Sequence, residues 1–353
     1  MKRIREYGVT VGKLQTGERN KITDVKGVKV GYVTLRDGDV NTGVTAILPH
    51  DGNMFKDKLY GAVHVINGFG KTVGTMQLEE LGTIETPIML TNTLNVGTVS
   101  QGLVRYMLSF NTDIGVETGT INPIVGECND GFLNDIRGLH VKEEHVYESI
   151  NNASVEFLEG AVGAGTGMSC FGYKGGIGSS SRKINIKDEE YTLGALVLSN
   201  FGIKEDFILN NNDIKAMLYE NNKSFSVNNR NCDIDNLEKG SIMMILATDA
   251  PLSPRQLKRV AKRSVVGITR LGSYLGNGSG DVVIAFSTAN KIKHYEESVT
   301  SEVKVINENY IDFFFRASAE AVEESVLNSL ITADTIVGRE GNRIEGLSKS
   351  LGI

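Results

Sequence analysis

The chain has 353 residues, of which 40% are hydrophobic and 23% charged, and a formal net charge of −6 at pH 7. This composition excludes a wholly disordered protein, a coiled coil and a collagen-like chain, and it suits two domains or one large α/β unit. The basic residues form no large block, so nucleic acid is not expected as a partner.

The first half of the chain mixes strand and helix patterns. Alternating or apolar runs bounded by turn residues predict strands at residues 28–33, 43–49, 61–68 and 192–199. Apolar residues at helical spacing predict helices over 97–110 and 142–158, the second with Val155 and Leu158 on its apolar side. The glycine-dense stretch 160–178 and the three serines after it predict turns that frame short strands.

The second half begins with a change of composition. Residues 203–238 are polar and rich in asparagine, which predicts a mobile surface excursion because such a segment buries little apolar area. The uninterrupted apolar runs at 242–248 and 281–287 predict strands buried on both faces. Ser253 followed by Pro254 predicts a helix start, and a second long helix is predicted over 311–331. This interleaving favours a layered α/β sandwich.

The chain shows no signal for a membrane or for export. Its first residues, MKRIREYG, lack the apolar core of a secretory signal, and no apolar run approaches 18 residues. Cys128, Cys170 and Cys232 are an odd number and lack CxxC spacing, as reduced thiols commonly do. We therefore expect a cytoplasmic protein without a membrane partner.

The common signatures of catalysis are missing. None of the five histidines has a metal-binding spacing, so no metal and no cofactor are expected. Residues 167–171 lack the second glycine of a GxSxG elbow. The sequence GNGSG at 276–280 precedes a predicted strand, which is opposite to the order of a phosphate-binding loop, and it is interpreted as a plain turn.

Ser241 offers one chemistry that needs no histidine. It follows Lys239-Gly240 at the start of a buried strand, where a serine is commonly just the edge of the strand. If the peptide bond before Ser241 is cut, the new α-amine, with an ordinary pKa of about 7.7–8, can act as the base for its own hydroxyl. Glycine at position 240 suits such a cut because it imposes no side chain on the strained peptide.

Gly240-Ser241 and the residues around it resemble the DmpA-type peptidase family of L-aminopeptidase/D-amidase-esterases and β-peptidyl aminopeptidases. The matching segments span nearly the whole chain: 20–31 (NKITDVKGVKVG), 41–45 (NTGVT), 67–70 (NGFG), 127–131 (ECNDG), 133–135 (LND), 200–202 (NFG), 240–252 (GSIMMILATDAPL), 276–281 (GNGSGD) and 286–290 (FSTAN). The resemblance implies a four-layer αββα sandwich, of the type shared with ornithine acetyltransferases.

The resemblance also implies roles for individual residues. Ser241 corresponds to the nucleophile, and Ser279 and Asp281 to the second serine and the acid that hydrogen-bond toward the nucleophile and the new amine. Asn200 corresponds to the amide that holds the oxyanion, and Glu127 to the acid that receives the free ammonium of the substrate.

The chain departs from the family pattern two residues after this acid. Asn129 stands where familiar members have an aromatic residue, which puts the preferred size of the acyl group in doubt but not the reaction class. Cys128 lies beside Glu127, and we interpret it as a structural residue because it has no histidine neighbour in sequence.

Family behaviour implies one αββα domain over 1–353 that cuts itself between Gly240 and Ser241 into chains 1–240 and 241–353. It implies small peptide, amide or ester substrates with a free amino end, hydrolysed through an acyl-enzyme, and a homo-oligomer, commonly a tetramer of processed pairs. Two alternatives stay open. One is an acyltransferase like the ornithine acetyltransferases, which use threonine as nucleophile. The other is a member that is neither processed nor catalytic.

Overall fold

The structure, a computed structural model, describes residues 2–209 and 237–352. The greater part of the predicted surface excursion, residues 210–236, lies outside the described residues, and so does Cys232.

The described residues alternate between strands and helices along the chain. The strands are β1 (Lys29–Asp37), β2 (Val40–Leu48), β3 (Asp57–Gly68), β4 (Thr83–Ile84), β5 (Ile88–Asn92), β6 (Ile124–Cys128), β7 (Ser169–Cys170), β8 (Tyr173–Lys174), β9 (Gly176–Ile186), β10 (Glu189–Asn200), β11 (Lys239–Thr248), β12 (Gly278–Lys293), β13 (Ile336–Val337) and β14 (Arg343–Ile344). The α-helices are α1 (Thr75–Glu80), α2 (Val96–Leu108), α3 (Glu143–Asn151), α4 (Pro254–Ala261), α5 (Ser264–Thr269), α6 (Ile311–Ile331) and α7 (Leu347–Leu351).

Two sheets form the centre of the molecule. One has four strands in the order β1-β2-β5-β6, and the other has six in the order β4-β3-β12-β11-β10-β9. Most neighbouring strands are antiparallel, but β5 pairs with β6 and β11 pairs with β12 in parallel. Each parallel pair is joined by a crossover that carries helices, as parallel pairing requires.

Helices cover the outer face of each sheet. Helices α2 and α3 pack on the four-stranded sheet, while α4 and α6 pack on the six-stranded sheet. Alternation along β11 separates two cores, because Met243 and Ile245 pack toward the four-stranded sheet and Ile242 and Met244 pack toward the α6 side. The layers therefore run helix, sheet, sheet, helix, and the predicted αββα sandwich is confirmed.

The predicted buried strands are the centre of the six-stranded sheet. In β11 every residue from Ser241 to Thr248 is buried, and β12 is buried from Ser279 to Ser287. Both are longer than predicted: β11 begins at Lys239, and β12 begins inside the GNGSG segment at Gly278, where a plain turn was expected. Pairing with neighbouring strands lengthens them, which apolar runs alone do not reveal.

One local prediction was wrong, and another extended a few residues too far. The helix expected over 142–158 ends at Asn151, and Val155 and Leu158 are exposed. The chain leaves the helix because Ser154 forms a bridge with Val30 of β1, and asparagine side chains compete with helical hydrogen bonds. Residues 160–175 contain turns and the short strands β7 and β8, as predicted, but residues 176–178 already belong to the long strand β9. Within residues 2–209 and 237–352, no helix combines the length and the apolar character needed to cross a bilayer.

Candidate active site

Four strands of the six-stranded sheet bring the predicted site residues together at their ends. Asn200, the last residue of β10, pairs with Ser241 of β11. Ser241 in turn pairs with Gly280 of β12, which lies between Ser279 and Asp281. Gly280 pairs with Gly68 at the end of β3. Residues from distant parts of the sequence therefore converge where these strands meet.

A cleft of about 520 Å³ opens at these strand ends. The four-stranded sheet forms its opposite side, because Glu127 lies near the end of β6 and Asn129 follows that strand. The cleft is lined by Phe69, Lys71, Thr93, Glu127, Asn129, Phe132, Ser169, Asn200, Phe201, Gly202, Lys239, Gly240, Ser241 and Gly278. Its size suits a small molecule or a short peptide.

Ser241 faces the peptide bond that precedes it. Its side chain is almost fully buried, and its Oγ donates a hydrogen bond to the carbonyl oxygen of Gly240 at 2.7 Å. Gly240 has φ +132°, and a Cβ there would lie 2.1 Å from the carbonyl oxygen of Asn200. Only glycine fits this position, so the chain places an unhindered carbonyl beside a serine hydroxyl.

Ser279 and Asp281 form a buried pair. The hydroxyl of Ser279 donates to Asp281 Oδ1 at 2.6 Å, and Asp281 Oδ2 has no hydrogen-bond partner among the described residues. Burial raises the pKa of Asp281 to about 6, and the charge of Glu238 acts in the same direction, against the hydrogen bond from Ser279. Strand alternation puts the side chains of this pair on the face of the sheet opposite the Ser241 hydroxyl, where Asp281 also has a hydrogen bond with the backbone of Ile242.

Asn200 is held with its amide in a fixed orientation. Its Oδ1 accepts the backbone N–H of Ser169 at 2.9 Å, and its Nδ2 donates to the carbonyl oxygen of Asn129 at 3.0 Å. The amide group carries two N–H donors, and the second has no acceptor among the described residues, so it is available to a ligand in the cleft. Asn129 supports this arrangement through its backbone, while its side chain bonds to the N–H of Gly131.

Lys174 stabilises the backbone of the segment that contains Ser169. It is fully buried, and its Nζ donates to the carbonyl oxygens of Gly165, Met168 and Gly175 at 2.7–2.9 Å. Burial lowers the pKa of Lys174 to about 7. Sequence reasoning missed Ser169 and Lys174, and the only signal was a lysine inside a glycine-dense stretch.

Glu127 is a buried carboxylate on the opposite wall of the cleft. Its Oε1 accepts the backbone N–H of Lys71 at 2.9 Å, and its Oε2 accepts the hydroxyl of Thr93. Sequence reasoning identified Glu127 but not Lys71 and Thr93, because both come from other elements. Both donors are neutral, and among the described residues no ion pair with Glu127 is found, so its carboxylate is available to a cationic ligand.

Cys128 does not belong to the reactive surface. It is fully buried, and its Sγ donates weakly to the carbonyl oxygen of Leu198 at 3.5 Å. Burial raises the pKa of its thiol well above the ordinary value, so no thiolate is available. In the part of the chain that the structure describes, no group of three or more His, Cys, Asp or Glu side chains could hold a metal ion.

Comparison with known proteins places these features in a family. The family model of Peptidase family S58 matches residues 20–344. The chain is 38% identical to beta-peptidyl aminopeptidase BapA of Sphingosinicella microcystinivorans, over 98% of this chain and 89% of that protein.

Solved structures agree with this match. A crystal structure of a protein from Pyrococcus horikoshii OT3 is 52% identical, with a TM-score of 0.91, over 100% of this chain and 98% of that one. The L-aminopeptidase D-Ala-esterase/amidase of Ochrobactrum anthropi is 33% identical, with a TM-score of 0.85, over 99% and 97% of the two chains. The latter is described as a prototype of the serine aminopeptidases and as a variant of the Ntn hydrolase fold.

Proposed function

This chain belongs to peptidase family S58, and from that membership we propose that it is a serine aminopeptidase that matures by cutting its own Gly240–Ser241 bond. The membership confirms the DmpA-type resemblance inferred from the motifs and with it the hydrolase class. One observation carries the self-processing step. The Ser241 hydroxyl lies 2.7 Å from the carbonyl oxygen of the peptide bond that would be cut.

Maturation follows from this contact in two steps. Ser241 Oγ attacks the carbonyl carbon of Gly240, the bond from that carbon to the Ser241 nitrogen breaks, and the hydroxyl proton passes to the nitrogen. The product is an ester of Gly240 on Ser241 Oγ and a free α-amine. Water then hydrolyses the ester, which leaves a carboxylate on Gly240 and restores the serine hydroxyl.

Substrate hydrolysis then uses the group that maturation creates. The neutral α-amine of Ser241 takes the proton from its own Oγ while Oγ attacks the substrate carbonyl. Asn200 donates its remaining N–H to the oxyanion, and Ser279 with Asp281 holds the amine. The ammonium returns its proton to the leaving amine or alcohol, and water releases the acyl group.

Glu127 gives the site its selectivity for a free amino end. Its buried carboxylate faces the cleft opposite Ser241 and attracts the ammonium of a substrate. The relatives are named for beta-peptidyl, L-amino-acid and D-Ala-ester or amide substrates. We therefore assign small peptides, amides and esters with a free amino end as substrates.

The two products of the cut are expected to remain one domain. Strand β11, which would begin the shorter chain, pairs with β10 of the longer chain, and β12 pairs with β3. We further propose a cytoplasmic homo-oligomer, a tetramer of processed pairs. The free, buried thiols of Cys128 and Cys170 support a reducing location, and exposed Phe69 and Met76 supply apolar surface for association.

The test is intact-mass analysis under denaturing conditions, beside hydrolysis of aminoacyl amides. Wild-type protein should give two masses that together exceed the 38.3 kDa chain by one water, with the smaller beginning at Ser241. Ser241→Ala should stay uncut and inactive, whereas Ser241→Thr keeps a hydroxyl and should retain cutting. The active enzyme should hydrolyse substrates with a free amine but not their N-acetylated forms. A cut or active Ser241→Ala protein would overturn the proposal.

A further inference from the structure

A buried carboxylate that the mechanism does not use holds the chain just ahead of Ser241. The side chain of Glu238 is only 2% exposed. Its Oε2 accepts the backbone N–H of Tyr274 at 2.9 Å, and its Oε1 accepts the hydroxyl of Ser273 at 2.5 Å. In the other direction, the backbone N–H of Glu238 donates to the Tyr274 hydroxyl at 2.5 Å. The side chain of Glu238 thus bonds to the consecutive residues Ser273 and Tyr274, and its backbone bonds to Tyr274.

The segment that receives these bonds leads directly into the catalytic end of β12. Within it, the carbonyl oxygen of Gly276 accepts the backbone N–H of Ser279 at 2.9 Å and the side-chain amide of Asn67 at 2.6 Å. A Cβ on Gly276 would lie 2.1 Å from the carbonyl oxygen of Glu238, so the two backbones touch. Glu238 therefore joins the chain ahead of the cut to the loop that carries Ser279.

The bond to be cut lies between two anchored points. Only Lys239 and Gly240 separate Glu238 from Ser241, and Ser241 is itself held in the sheet by pairing with Asn200 and Gly280. Lys239 is exposed and Gly240 has no side chain, so neither adds a side-chain anchor, although their backbones pair with Gly278 and Ser279 of β12. The position of the Gly240 carbonyl beside the Ser241 hydroxyl thus depends on Glu238 from one side and on the β11 ladder from the other.

Burying the carboxylate of Glu238 is unfavourable for folding, even though it anchors the start of a strand. Among the described residues, no lysine or arginine forms an ion pair with it, and its donors are a hydroxyl and an amide N–H. A buried carboxylate without a cation is destabilising, and its charge also faces that of Asp281. If position 238 contributed only to stability, an apolar side chain would be more favourable than glutamate. The arrangement therefore indicates a functional role.

We propose that Glu238 is a positioning residue for maturation, which holds the Gly240 carbonyl in front of the Ser241 hydroxyl while the chain is uncut. The inference rests on the self-processing proposed above. It distinguishes two steps that share one nucleophile. The cut needs Glu238, because the cut bond lies in its segment, whereas attack on a bound substrate proceeds after that segment has become the free end of the longer chain.

The experiment follows cutting over time by denaturing intact mass after a pulse of cell-free synthesis. Glu238→Ala should slow the cut by about tenfold or more, since small misplacements of reacting groups cost one to two orders of magnitude. Tyr274→Phe removes one of the three bonds from a half-exposed side chain and should slow the cut by a smaller factor. Leu237→Ala, a change at the exposed neighbouring residue, is the matched control and should cut like wild type.

Two further measurements separate positioning from folding. Thermal unfolding of each variant in the Ser241→Ala background shows whether the uncut chain folds, and turnover is expressed per mole of exposed Ser241 amine. The expected result is slow cutting in a folded precursor, with normal turnover in whatever fraction is cut. If Glu238→Ala and Tyr274→Phe both cut at the wild-type rate, or if Glu238→Ala slows turnover per cut molecule as much as cutting, the inference is wrong. A wild-type chain that stays uncut would instead overturn the self-processing on which it rests.

Discussion

Two clusters of buried charge lie at opposite ends of the six-stranded sheet, and they are built in opposite ways. At one end, Arg182 of β9 is fully buried and its Nη2 donates to Glu324 of α6 at 2.7 Å. Arg5 pairs with the same carboxylate at 2.7 Å. At the other end, Asp281 is equally buried, and its hydrogen bonds are to neutral groups, the hydroxyl of Ser279 and the backbone of Ile242. Glu324 at the first end thus has two cationic partners, and Asp281 at the second end has none among the described residues.

The pKa values of the two carboxylates are consequently shifted in opposite directions. Burial pushes the pKa of Glu324 upward, but the hydrogen bond from Arg5 and the charge of Arg182 outweigh it and hold the pKa below the usual value. Burial raises the pKa of Asp281 to about 6 because no cation opposes it. Charge compensation, rather than burial, therefore distinguishes the structural end of the sheet from the reactive end.

Removing the cation at the structural end should produce the largest effect on stability. Arg182→Met leaves Glu320 and Glu324 buried with less compensation, which should lower the free energy of unfolding by about 3–5 kcal/mol. Chemical denaturation in the Ser241→Ala background measures this in a single uncut species. Arg255→Met, at an exposed ion pair with Glu308, is the control and should change stability by less than about 1 kcal/mol. A loss as small as that of the control would show that the two ends do not differ as described.

The uncompensated end should appear as a pH dependence of stability. The folded pKa of Asp281 lies above its unfolded value, so its contribution to stability is complete below about pH 4 and is lost as the pH rises through about 6. In the Ser241→Ala background, the loss should amount to about 3 kcal/mol. It is measured as the difference between the unfolding curves of proteins with and without Asp281→Asn, because that substitution removes the titrating group. Parallel pH profiles for the two proteins would contradict the assignment.

Replacing Cys128 tests whether the reactive end of the sheet includes the residue after Glu127. The expected effect is the smallest of the three. It directly follows Glu127, but its buried thiol bonds to the backbones of Leu198 and Met243. Cys128→Ala should leave the rate of cutting and the turnover unchanged and should lower stability by about 1 kcal/mol through the lost contact. Intact mass and steady-state kinetics measure both outcomes. A large loss of turnover would return the cysteine to the active site.

Much of the site could be predicted because its residues lie in short segments that can be recognised in the sequence. Ser241 stands out where a polar segment meets a buried strand, and the motifs that resemble the family identify Asn200, Ser279, Asp281 and Glu127. The structure brings the first four to adjoining strand ends and places Glu127 across the cleft. Their individual catalytic roles stay predictions, which the Ser241 and Asp281 variants begin to test.

The supporting residues could not be predicted. Thr93 and Lys71 reach Glu127 from outside its strand, Ser169 reaches Asn200, and Tyr274 reaches Glu238. None belongs to a recognisable pattern, because each acts through one or two hydrogen bonds between segments that are distant along the chain. The helix expected up to residue 158 was wrong for the same reason, since pairing of Ser154 with β1 overrides the local helical spacing.

The sequence by itself determined which segments are buried strands, where α6 lies, which serine can be a nucleophile and to which family the chain belongs. These features depend on periodicity and on neighbouring residues, which are local properties of the chain. The tertiary structure alone decided which buried acids are compensated by a cation. That balance depends on which elements pack together, and Arg182 meets Glu324 only because α6 covers β9, while no cationic side chain among the described residues pairs with Asp281.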